Sequence, residues 1–122
     1  MPVYMMEMAY TSEAWSSLVK DPEDRAKMAQ SLAESLGGKN LGFWLSLGEY
    51  DLVAVFELPD QSSVAALSIA VSAGGAIRAI KTTALMSTDE AVKALSKAQT
   101  LEYHPPGAMW SARQSWAEPQ RT

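Results

Sequence analysis

Residues 47–58, Leu47-Gly48-Glu49-Tyr50-Asp51-Leu52-Val53-Ala54-Val55-Phe56-Glu57-Leu58, decide the fold of this chain. Gly48 to Asp51 form a cluster of turn-tolerant residues between two apolar runs, Leu41 to Leu47 and Leu52 to Leu58, the pattern a tight β-hairpin requires. Glycine takes a positive φ without a Cβ clash, and an aspartate side chain hydrogen-bonds nearby backbone. The chain is therefore expected to double back here, with Lys39 to Leu47 as one strand and Asp51 to Leu58 as the next.

Before the hairpin, Val3 to Tyr10 (VYMMEMAY) is apolar apart from Glu7 and reads as a strand buried on both sides. Thr11-Ser12-Glu13 offers capping hydroxyls ahead of Trp15, Leu18 and Val19 at helical spacing. A second helix start is expected at Asp21-Pro22-Glu23-Asp24, with Asp21 as N-cap and proline in the first turn. Ala26, Ala29, Leu32, Ala33 and Leu36 then form one apolar stripe, and Gly37-Gly38 ends it. After the hairpin, Pro59-Asp60 breaks the strand and caps a helix from about Gln61 to Ser72, stopped by Gly74-Gly75. Ile77 to Met86 reads as a fourth strand. Ser87 and Glu90 stand in a capping-box relation that opens a last helix through about Lys97.

The order β-α-β-β-α-β plus a helix predicts an α+β, ferredoxin-like sandwich with a four-stranded antiparallel sheet in the order 4-1-3-2. Alternation divides the strands into two faces. Leu41, Phe43, Leu45, Leu52, Ala54, Phe56 and Leu58, with Tyr4, Met6 and Met8, suit the side beneath the helices. The other side holds Val3, Met5, Glu7, Trp44, Ser46, Val53, Val55, Glu57, Ile77 and Lys81, too apolar a set for a solvated face. A second copy is expected to cover it, giving a dimeric α+β barrel. Residues 1–100 would form the domain. Residues 101–122, with Tyr103, Met109, Trp110 and Trp116, would be a tail packing on the domain or on a neighbouring subunit.

LGGKNLGFWLSLGEYDLVAVFELPD, with VKDPEDRAK before it and AIRAIKTTALMSTDEAV after it, resembles the GYD-domain family, named for the motif that stands here as Gly48-Glu49-Tyr50-Asp51. The resemblance covers about residues 3 to 95. It implies a dimeric α+β barrel and carries over no catalytic residues. Similar barrels also serve as effector-binding modules of amino-acid-responsive regulators.

Composition narrows the function. With 48% hydrophobic and 20% charged residues in 122, a single packed domain is expected. A net charge of −4 and no basic patch argue against a nucleic-acid partner. There is no cysteine, hence no disulfide or thiolate site, and the lone histidine, His104, before two prolines, rules out a histidine metal cluster. No cofactor and no metal is expected. No apolar run is long enough to span a membrane, and no signal core opens the chain, so a cytoplasmic location and no membrane partner are expected.

The expected partners are a second copy of the chain and a small, partly apolar molecule held near the dimer interface. Candidate ligand-binding residues are Glu7, Glu57 and Lys81, as a charged group inside the barrel, and Trp44, Tyr50 and Arg78, as an apolar wall, a hydroxyl and an anion-pairing fork. Against these stand plainer roles: a structural ion pair for the charges, core for Trp44, turn architecture for Tyr50 and Asp51. The alternative functions are a cofactor-free monooxygenase, isomerase or decarboxylase with Glu7 or Glu57 as base, and a purely structural assembly module.

Overall fold

The computed structural model describes residues 1–107, which fall into two compact units, Met1–Met86 and a second beginning at Ser87. The expected latch role of Trp110 and Trp116 lies outside the described residues.

The first unit runs β1 (Val3–Tyr10), α1 (Ser12–Lys20), α2 (Ala26–Ser35), β2 (Lys39–Leu45), β3 (Leu52–Glu57), α3 (Gln61–Ala73) and β4 (Ile77–Leu85). The strands form one antiparallel sheet in the order β2-β3-β1-β4, which read from the other edge is β4-β1-β3-β2. The second unit opens with α4 (Thr88–Ala98), capped by Ser87, whose Oγ accepts from the Glu90 N–H at 3.1 Å.

Local chemistry sets the helix ends. Thr11 Oγ1 accepts from Ala14 N–H at 3.1 Å and starts α1. Asp60 starts α3, its Oδ1 accepting from the Ser63 N–H at 2.9 Å and from the hydroxyls of Ser63 at 2.7 Å and Ser62 at 3.1 Å. These hydrogen bonds favour the ionised carboxyl, those of Ser63 foremost, and hold Asp60 below its ordinary pKa. The expected start of α2 at Asp21-Pro22 is corrected: Asp21 is the C-cap of α1, and α2 begins five residues later, where Asp24 Oδ1 accepts from Ala26 N–H at 2.9 Å. Asp24 is the better placed acceptor because α1 has used the chain up to Lys20 and needs Asp21 to close it.

Gly37 (φ 81°) and Gly38 end α2 in a Schellman motif. Gly38 N–H donates to Ala33 O at 2.9 Å and Gly37 N–H to Glu34 O at 3.0 Å. Gly38 has a further reason to be glycine, since a Cβ there would collide with the backbone carbonyl of Glu57.

The core lies between the sheet and α2 and α3. Met6, Met8 and Tyr10 of β1 and Leu52, Ala54 and Phe56 of β3 pack against Ala29 and Ala33 of α2 and Val64 and Leu67 of α3. Two irregularities correct the expected faces. A register shift between Asn40 and Gly42 leaves Leu41 unpaired and half exposed, so Leu41 does not lie beneath the helices; the Asn40 amide stitches the bulge by donating to Gly42 O at 2.9 Å and Val55 O at 3.1 Å. Leu45, near the hairpin end of the edge strand β2, is also exposed. The second shift is between Ala9 and Tyr10. Ala9 pairs with Ala79 but Tyr10 with Ile77, so Arg78 is the extra residue and Ile77 turns to the helix side, not the open side.

Candidate functional site

The six residues singled out in the sequence lie on the open face or at its margins and do not converge. Trp44 of β2, Val53 of β3, Glu7 of β1 and Lys81 of β4 are successive cross-strand partners and form one row across the sheet. Glu7 and Lys81 are thus cross-strand neighbours, but Lys81 does not lie between two carboxylates. Glu57 is opposite Val3, four residues along β1 from Glu7, a separation of about 13 Å. Its carboxylate lies 3.9 Å from Lys39 Nζ, so its cation is Lys39 and not Lys81. Trp44 and Arg78 sit on opposite edge strands, about 14 Å apart across the sheet, so they do not share a pocket mouth.

Trp44 is 55% exposed, and its indole folds back over Gly42, where a Cβ would clash with the six-membered ring. Gly42 is therefore a seat for the indole. Together with Val3, Met5, Val53 and Val55, the ring makes the centre of the open face apolar.

The motif aspartate ties the hairpin to the rest of the sheet. Strands β2 and β3 are joined by Ser46–Asp51, closed by Ser46 N–H donating to Asp51 O at 2.7 Å. Asp51 N–H donates to Met8 O at 2.8 Å, and Asp51 Oδ2 accepts from Tyr10 N–H at 2.9 Å. Both bonds span more than forty residues of chain. Asp51 thus continues the β1–β3 pairing past the end of the regular ladder, with a carboxylate standing in for the next carbonyl. Tyr50 beside it is half-buried and Glu49 exposed, so the turn reading of this segment describes them.

A cavity of about 280 Å³ lies on the other side of the sheet, between α2 and α3. Its floor is Met6, Met8, Leu52 and Phe56, and its walls are Met28, Ala29 and Leu32 of α2 and Leu67, Ala70 and Val71 of α3. Tyr10 and Arg25 are its polar side chains, and both also line two adjoining, more open depressions of about 470 and 340 Å³. Burial pushes the Tyr10 phenol above its ordinary pKa, partly offset by the Arg25 guanidinium beside it. The Tyr10 ring meets Trp15 edge to face at 5.0 Å, which fixes the phenol's direction.

None of the six sequence candidates lines this cavity. Tyr10 reads as an ordinary core aromatic in the sequence and Arg25 as a solvated helix residue. The available signal was the small residues Ala29, Ala70, Gly74 and Ala76 at the helix–sheet boundary, which leave space that Leu or Ile would fill. Among the described residues, no three histidine, aspartate or glutamate side chains gather as a metal site, and no helix is long and apolar enough to cross a membrane.

Comparison with known proteins places these features in a family. The chain is 27% identical over 89 residues to a Thermus thermophilus protein named glutamine synthetase and cystathionine beta-lyase binding protein, an alignment that covers 73% of this chain and 94% of the relative. The family model for the GYD domain matches residues 4–95, which take in all of the sheet but Val3, the Gly48–Asp51 motif and most of α4. With three-quarters of its length under that match, including the aspartate that locks the hairpin to β1, the chain belongs to the GYD-domain family.

Proposed function

We propose that this protein is a homodimeric binding protein whose partners are enzymes of amino-acid metabolism. The observation that carries the reading is the relative named for binding two such enzymes, which this chain matches over 94% of its length, so that the shared module itself would be what binds.

The open sheet face supports self-association. Four strands about 4.8 Å apart and some six residues long make a face of roughly 400 Å² in projection, with an apolar middle and charges toward its rim. Val3, Met5, Val53, Val55 and Trp44 fill its middle. The charges within its paired rows are two acids, Glu7 and Glu57, and two bases, Lys39 and Lys81, with Arg78 at the bulge of the β4 edge, so two copies can meet without a large like charge at the centre. In this reading Glu7 and Lys81 set the register between copies and do no chemistry. No observation favours the enzyme alternative: the Glu57 side chain is 31% exposed and lies beside Lys39 at the surface, not at the floor of an enclosed cavity.

Two measurements test the proposal. Light scattering of the pure chain at about 10 μM should give twice the monomer mass, and Val55→Glu, at the centre of the face, should give the monomer. Interferometry against purified glutamine synthetase and cystathionine β-lyase from the same organism should show saturable binding to at least one. A wild-type monomer would overturn the dimer. A folded chain that binds neither enzyme would overturn the partner class.

A further inference from the structure

We propose that the cavity between α2 and α3 binds a medium-chain aliphatic monocarboxylate, its tail among Met6, Met8, Leu52 and Phe56 and its carboxylate on Arg25 and Tyr10. This site is on the opposite side of the sheet from the self-association face, and the inference does not depend on which enzyme, if any, the protein binds.

Three observations support it. The first is size. At about 280 Å³ the cavity is nearly twice the ~150 Å³ apolar cavity that takes up benzene, so a chain of about eight carbons fits. The second is the polarity of the lining. Sulfur, aliphatic and aromatic side chains surround the space, which gives water few partners and a hydrocarbon many. The third is the placement of the two polar groups. Arg25 is the N-cap residue of α2 and partly exposed, while Tyr10 is 7% exposed, so the pair spans the boundary between solvent and the apolar interior.

A guanidinium fork and a phenol hydroxyl both donate hydrogen bonds, and the matching group is a carboxylate, which accepts from both. Arg25 Nη1 also lies 3.4 Å from Glu23 Oε2, but that pair is on the exposed side, where an ion pair is worth little and yields to a better desolvated partner. Among the described residues that line the cavity Arg25 is the one cation, which suits a single carboxylate better than two; the Glu23 carboxylate, which lines the adjoining depressions, is the group that the ligand head must replace on Arg25. The ligand therefore enters tail first, the geometry in which apolar burial supplies affinity and the arginine supplies the choice of head group.

Thermal melting of the full chain with octanoate, octanol and octylamine tests this. Octanoate at about ten times its Kd should raise Tm by roughly 5–10 °C, octanol by less at the same concentration, and octylamine not at all. Arg25→Gln should melt like wild type without ligand and reduce the octanoate shift to that of octanol. Ala70→Trp, at an exposed α3 position on the cavity wall, should abolish both shifts. An absent octanoate shift, an Arg25→Gln variant that still prefers octanoate, or full shifts in a folded Ala70→Trp variant would each overturn the proposal.

Discussion

Asp51→Ala removes the one side-chain bond that joins the hairpin to β1 across forty-one residues. The lost contact is a carboxylate accepting from the Tyr10 backbone N–H at 2.9 Å in a half-buried position. A hydrogen bond to a charged group contributes about 1.5–3 kcal/mol, and the Tyr10 N–H, turned into the sheet end, would keep a desolvated donor without a partner. The expected loss is therefore about 2 kcal/mol. For a unit of 86 residues, where 1 kcal/mol moves Tm by about 4–8 °C, the midpoint should fall by roughly 8–16 °C. Asp51→Asn keeps an accepting oxygen and loses only the charge, so it should cost about half as much or less. Circular-dichroism melts at one fixed protein concentration, with exposed Glu49→Ala as the neutral control, give the ordering directly. If Asp51→Ala melts within about 2 °C of wild type, or Asp51→Asn is as damaging as Asp51→Ala, the carboxylate is not the tie described here.

Two further outcomes follow from geometry already given. Gly42→Ala should displace the Trp44 indole, shifting its fluorescence to the red and destabilising by about 1 kcal/mol, whereas in a Trp44→Ala background the same change should be neutral or slightly stabilising; additive effects would show that the ring does not rest on Gly42. Tyr10 supplies a pH dependence. Its folded pKa is raised by burial, so its contribution to stability is fully present below the unfolded value of about 10 and is lost as pH rises through the folded value. Urea unfolding from pH 9 to 11 should show a steeper loss for wild type than for Tyr10→Phe, and equal slopes would remove Tyr10 as the cause.

What the sequence by itself determined was most of what is encoded within a few residues, the start of α2 excepted. Thr11, Asp60 and Ser87 cap helices because the side-chain oxygen and the N–H that it binds are three residues apart. Gly37-Gly38 stops α2 through bonds that close within one turn, and the alternation of Leu52, Ala54 and Phe56 against Val53, Val55 and Glu57 sets the two faces of β3. From those local rules the order of elements and the pairing of strands follow. The tertiary structure decided whatever depends on a partner far along the chain. Leu41 leaves the ladder because of how β2 registers with β3, and Ile77 changes sides because β4 slips by one residue against Ala9 and Tyr10. Asp51 reads as a turn residue until Tyr10 N–H arrives beside its carboxylate, and Glu57 reads as a partner of Lys81 until Lys39 is found opposite it. The cavity is the extreme case, a space bounded by six separate segments and visible only when they are brought together. Periodicity states which way a side chain points; how much room is left at its tip is set by the distance between layers, which no single segment contains.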